Sequence, residues 1–410
     1  MGMIRSIYFW VLLLIIGIGL AVTTVIVEDR QLHVQDEIKR RIELKGSNIV
    51  GYEEGVPSFD IQADYIWAGR SSYIFEGDGL QAGRLYDSNG KLVAEGMFAD
   101  RVRVNTKRKI LAAFDNIKVT FFQRSDNPKA IHINSDEMRY FSENKRTYLY
   151  KNIKLIRDDT LISPKRQVDI DNDLNVAYLN YGFLLNSDEF VASANKMVIY
   201  LDDNYSEIMG KVHLVRLSDS AAKDNIDSRE EKLRQKITDL KCDYLMYVNQ
   251  SDNETITVSG NIQLLQEGKY ITADYGYYDK DKEFYELKGN IVIKTSSLKW
   301  LINKPVESFD NHDIQNSLDV PVVIMGDNLI FDAAAQRLEL IGDVKVELPD
   351  KVITCQKLSF DDRDEWVQLI GNVVMVKANE DKLMSSFLKL NINDETVVAR
   401  DHVVTEFKVK

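Results

Sequence analysis

Apolar and polar residues alternate with a period of two over most of this chain, the pattern of strands that bury one face. A short motif punctuates the alternation. GNIQL at 260–264, GNIVI at 289–293, GDVKV at 342–346 and GNVVM at 371–375 each set a glycine and an Asn or Asp ahead of alternating apolar positions. With the second motif residue taken as a pivot, weaker copies fall at Asn116, Asn152, Gly182 and Lys211, and a degenerate last one at Asp401. Successive pivots lie 36, 30, 29, 50, 29, 53, 29 and 29 residues apart. Self-similarity at a fixed period marks a repeat architecture. A unit of 29 residues, interrupted by insertions near 218–241 and 296–321, accounts for these spacings.

Residues at odd offsets from the pivot share one strand face. Before the pivot these columns hold Ile256 and Val258, Tyr285 and Leu287, Leu338 and Leu340, and Val367 and Leu369. After it they hold Ile262 and Leu264, Ile291 and Ile293, Val344 and Val346, and Val373 and Met375. The preceding strand of each unit carries a small residue (Ala99, Ser135, Ala194, Ala273, Gly326, Cys355) and then an apolar pair of opposite parity. These pairs are Val102 and Val104, Met138 and Tyr140, Met197 and Ile199, Leu329 and Phe331, and Leu358 and Phe360. A change of parity requires a bulge or corner. By the same count the pivot glycines fall on the inward face, where a missing side chain permits a sharp bend.

Polar clusters such as 142–145, 279–282 and 361–364 separate the two strands of a unit and read as turns. Each unit is thus two bent antiparallel strands, and the fold class is all-β: an elongated antiparallel jellyroll, or β-taco, with an apolar inside. The columns alone fit a dry closed core as well as a groove, since stacked repeats need a continuous core. The insertions break the pattern. Ser228 and Glu231 resemble a capping box, and Leu233, Ile237 and Leu240 follow at helical spacing, which predicts a short helix over 228–240. Segment 296–321, with Trp300, Pro305 and Pro321, reads as an irregular excursion.

The run Ile7–Val27 holds 21 residues and no charge, enough at about 1.5 Å per residue to cross a hydrocarbon core. This assigns 1–27 to a transmembrane anchor, 28–57 to a juxtamembrane segment and 58–410 to the repeat jellyroll, with all that follows Val27 outside the cytoplasm. A cleaved signal peptide is the alternative reading of the same run. The net charge of −12 disfavours nucleic acid and anionic surfaces as partners. Only Cys242 and Cys355 are present, too far apart in the repeat register to pair.

Catalytic signatures are missing from the sequence. His33, His132, His213, His312 and His402 are scattered singly, and neither a G-x-S-x-G elbow nor a Walker motif occurs. A non-enzymatic protein with no cofactor and no metal is expected.

The joint recurrence of a small residue plus Asp or Asn (Ala99-Asp100, Ser135-Asp136, Ala194-Asn195, Ala273-Asp274, Gly326-Asp327) with the glycine motif resembles the LptA/LptC (OstA-like) lipopolysaccharide-transport family. A single apolar segment ahead of the β region is similar to LptC in particular, although the chain is much longer than is usual in that family. The resemblance covers most of 58–408. It implies a groove sheltering lipid A acyl chains between an inner-membrane ABC transporter complex and the outer membrane, in a single-pass inner-membrane protein with its bulk in the periplasm. It also implies open ends that pair with another β-jellyroll bridge protein or an outer-membrane translocon. The candidate groove residues are then those of the columns, from Val102 and Val104 to Val373 and Met375. Exposed ladders need pairing, so the candidate partner edge is Thr396, Val397, Val398, Val403, Val404 and Phe407, with a second edge around 58–80. A structural or adhesive array with a dry core remains the alternative.

Overall fold

The computed structural model describes residues 42–68, 71–122, 130–217, 237–250, 253–297, 319–332, 334–361, 366–391 and 396–407. The anchor expected over 1–27 lies outside them, as do 298–318 of the second insertion. Among the described residues all regular structure is strand.

The array begins with β1 (Ile42–Glu53), β2 (Val56–Ala68), β3 (Ile74–Tyr86), β4 (Leu92–Asn105), β5 (Ile110–Phe122) and β6 (Ala130–Phe141). Four strands then break at the corner into pairs: β7 (Arg146–Tyr150) and β8 (Lys154–Arg157), β9 (Thr160–Pro164) and β10 (Gln167–Asp171), β11 (Val176–Leu179) and β12 (Phe183–Asn186), β13 (Phe190–Ala194) and β14 (Lys196–Tyr200). Long strands resume with β15 (Tyr205–Arg216), β16 (Thr238–Gln250), β17 (Asn253–Gln266), β18 (Lys269–Asp279) and β19 (Phe284–Thr295). They continue with β20 (Val322–Asp332), β21 (Arg337–Leu348), β22 (Lys351–Asp361), β23 (Trp366–Lys377) and β24 (Lys382–Asn391), and the broken pair β25 (Val397–Arg400) and β26 (Val404–Glu406) ends the array. Neighbouring strands pair antiparallel throughout, as hairpin connections dictate.

The recurrent motif makes the corner. Gly260 and Asn261 both have positive φ, 75° and 49°, and together face one residue of the next strand, so the register shifts between Ser259 and Ile262. Gly289–Asn290, Gly342–Asp343 and Gly371–Asn372 repeat the arrangement. Glycine and Asn are the residues that adopt this backbone most readily. The preceding strand supplies an acceptor: Asn261 Nδ2 donates to Asp243 Oδ2 at 2.6 Å, Asn290 to Asp274 at 2.8 Å and Asn116 to Asp100 at 2.7 Å. Because the bulges align from strand to strand, the sheet folds along one line into two walls. The first wall carries the turns at 106–109, 142–145, 172–175 and 280–283, and the second those at 87–91, 158–159, 267–268 and 349–350. Side chains from both walls meet in one apolar cluster.

Three expectations change. The glycines do not face the apolar interior: a Cβ on Gly260 would stand 2.8 Å from Oδ2 of the exposed Asp243, on the outer side of the bend. The bulge itself reverses the parity that placed them inside. Residues from Ile42 to Glu53, within the stretch assigned to a juxtamembrane segment, form a strand of the array. Of the helix predicted over 228–240, residues 228–236 lie outside the described residues, while Thr238–Leu240 belong to β16, where ladder pairing to β15 and β17 overrides the helical spacing. Both thiols are free and buried, Cys242 on β16 and Cys355 on β22. Burial pushes each up to about 11.

Candidate functional site: an apolar groove

Cross-strand register turns the sequence columns into continuous rows along the array. On the first wall, towards the mouth of the fold, the row runs Val104, Leu111, Tyr140, Thr147, Ile170, Ala177, Ile199. It continues through Ser206, Tyr247, Ile256, Tyr278, Tyr285, Phe331, Leu338, Phe360, Val367, Leu390 and Val397. On the second wall the matching row runs Val119, Ile133, Leu155, Ile162, Leu185, Ala192, Leu214, Leu240, Leu264, Ile271 and Ile293. Ile324, Val346, Ile353, Met375 and Leu383 extend it.

Exposure changes abruptly along both rows, and at the same strand. From Val104 to Ile199 every residue of the first row is at most 2% exposed. From Ser206 to Leu390 the row is half-buried, with Phe360 the exception at 3%, and Val397 at its end is exposed. The second row is buried as far as Ala192 and then largely half-buried from Leu214, with Ile293 and Val346 remaining buried. Both changes fall at β15. Beyond it the corner is dry, with Ile262, Ile291, Val344 and Val373 at 1–2%, and on the first wall exposure rises towards the lip, as an open V requires. On the second wall Gln266, Lys269, Thr295 and Val322, at the outer ends of β17–β20, are buried again. Between corner and lip on the first wall, Leu245, Val258, Gly276, Leu287, Leu329, Leu340, Leu358, Leu369 and Leu388 form an unbroken apolar ladder. Above it Tyr285 stacks on Tyr278 with centroids 4.5 Å apart and lies 5.7 Å from Phe331.

Before β15 the mouth is bridged from wall to wall by polar groups. Lys109 Nζ donates to Glu53 at 2.6 Å, Lys145 Nζ donates to Ser58 Oγ at 2.8 Å, and Ser58 Oγ also lies 2.7 Å from the Tyr140 hydroxyl. The Ser88 amide donates to Asp173 at 2.7 Å, Asn175 Nδ2 to the Phe122 carbonyl at 3.0 Å, and Arg157 to Asn204. Phe59 and Tyr140 meet edge to face beneath them. Burial lowers the pKa of Lys145, against the opposing pull of Asp173, Glu53 and Asp87. Burial also raises that of Tyr140, so the phenol stays protonated.

Every candidate groove residue is buried or half-buried. They fall in two places: Val102, Val104, Met138, Tyr140 and Ile199 lie under the bridged mouth, and Ile262, Leu264, Tyr285, Leu287, Ile291, Ile293, Leu329, Phe331, Leu338, Leu340, Val344, Val346, Leu358, Phe360, Val367, Leu369, Val373 and Met375 line the open run. At the C-terminal end Thr396, Val397, Val403, Val404 and Phe407 are exposed and Val398 is half-buried, and β25 and β26 pair with β24. Among the described residues the N-terminal edge is β1, not 58–80: β2 is paired on both sides, and β1 exposes Ile42, Leu44, Val50 and Tyr52. Sequence columns missed the early corners and the polar bridges. Ala63-Asp64 repeats the small-acidic pair, and Asp64 packs on Gly79 as Asp243 does on Gly260. The bridges join residues 47–87 positions apart and leave no periodic mark.

The fold defines a bent antiparallel strand array with an apolar groove. No family model matches the chain, and no curated protein does. One solved structure with which the chain aligns is that of LptH, the LptA homologous periplasmic component of the conserved lipopolysaccharide transport device from Pseudomonas aeruginosa, at 11% identity and a TM-score of 0.26. The alignment covers 34% of this chain and 95% of that one.

Proposed function

We propose that this chain is a non-enzymatic carrier that shelters the acyl chains of a lipid in the open groove. The observation that carries this reading is the run of half-buried apolar rows from β16 to β24: no member of either row is charged, and the charges of the same parity, Glu254, Lys269, Lys351 and Lys377, stand only at the outer ends of the strands. A closed sandwich would have buried these rows against each other, since apolar surface left in water is unfavourable. The sequence motif supports lipopolysaccharide as the lipid class. It also supports passage from an inner-membrane ABC transporter to another jellyroll protein or an outer-membrane translocon, with Ile7–Val27 as the anchor. Native mass spectrometry of the full chain, purified from detergent extracts, is the test. Co-purifying multi-acyl lipid is expected; bare polypeptide under conditions that keep the fold would overturn the proposal.

A further inference from the structure

The two parts of the array have the same rows and the same register but opposite treatment of the mouth. Between β4 and β14 the rows are buried, with Leu111, Leu149 and Phe183 fully so, and both walls are tied by the polar bridges at Ser58, Asp173 and Asn175. An acyl chain placed there would have to displace packed side chains that already fill the interior. It would also strip the buried Lys145 of its Ser58 partner, which is costly for a charge held away from water. From β16 the rows widen into half-exposed surface, and the charges nearest the lip are paired along their own wall, as in Lys280–Glu254 and Lys282–Asp279. A lipid's uncharged tails match that interior, and its charged head must remain beyond the lip.

We infer that the array is divided at β15 into a sealed module that fills its own groove and an open module that alone holds acyl chains. This deepens, and rests on, the carrier reading above. The sealed module is an end-stop. Tails cross the lip sideways at or beyond β16, not through the N-terminal end of the jellyroll, and the space for them is bounded by β24. Eight strand spacings of ~4.8 Å give this run a length of about 38 Å.

Benzophenone-bearing phenylalanine, placed singly in the full-length chain at aromatic positions so that ring replaces ring, reads the division directly. Phe121 and Phe183 report on the sealed module; Tyr285 and Phe331 report on the open one. With purified lipopolysaccharide as probe, crosslinking is expected at Tyr285 and Phe331 and lost to background at Phe121 and Phe183. Hydrogen exchange of the unsubstituted chain checks the result without a variant: added lipopolysaccharide should slow amides of β16–β24 and leave β4–β14 unchanged. Crosslinking at all four positions, or slowed exchange across β4–β14, overturns the division while leaving the carrier reading intact. Crosslinking at none, with exchange unaltered everywhere, overturns the carrier reading and the division with it.

Discussion

At the corners built on Gly260, Gly289 and Gly342 the backbone conformation and one neighbouring aspartate act on the same glycine. Gly260 sits at φ +75°, and a Cβ there would meet both Oδ2 and Cβ of Asp243 within 2.9 Å. Gly55, in the turn between β1 and β2, has φ +84° and open space around it. Alanine at either position pays the left-handed conformational cost, about 1–2 kcal/mol, but only Gly260→Ala also collides with Asp243. Gly260→Ala is therefore expected to lose about 1–3 kcal/mol and more than Gly55→Ala, measured as the local opening free energy in native-state hydrogen exchange. Adding Asp243→Ala should recover part of the loss. Equal losses at the two glycines would mean the acidic cradle does not confine the corner.

The same row of a strand ladder can be core or groove, and leucine truncation separates the two at the level of the element. Leu111 on β5 and Leu338 on β21 occupy one continuous row, the first fully buried and the second half-buried. Leu111→Ala leaves a cavity under the bridged mouth and should destabilise β4–β6 by about 2–5 kcal/mol. Leu338→Ala removes methyl groups that already face the open V, so a loss well below that is expected in β20–β22. Denaturant melts of the two variants provide the check. Losses of similar size would show that the mouth beyond β15 is as dry as the mouth before it.

On the scale of the whole array, two edges terminate the stack among the described residues. β1 pairs with β2, and β25 and β26 pair with β24, and among the described residues neither end strand pairs on its other side. Exposed ladders are templates for strand addition, and Val397, Val403, Val404 and Phe407 at the C-terminal edge are 45–73% exposed. Deleting 396–410 should abolish capture of another jellyroll protein while exchange protection of β2–β22 persists, because repeat stability is largely nearest-neighbour. Retained capture would exclude this edge as the docking surface. Collapse of protection along the array would show that the edge is needed for the fold itself.

Period and parity were readable from the chain because they are local. A residue two positions on returns to the same face, and an Asn or Gly that tolerates positive φ marks the corner wherever it recurs, as at Asn261, Asn290 and Asn372. The all-β class, the inward columns and the unpaired thiols follow from those local rules. What the chain could not disclose depends on how far apart the two walls stand. Leu111 and Leu338 obey one pattern, yet one is sealed and the other open, because Ser58, Ser88 and Phe122 reach Tyr140, Asp173 and Asn175 across 53–85 residues of sequence. The side on which a corner glycine presents its missing Cβ was also hidden, since a bulge of one residue inverts the count. Separation of walls and direction of a bend are properties of strands already assembled, and only the tertiary structure decides them.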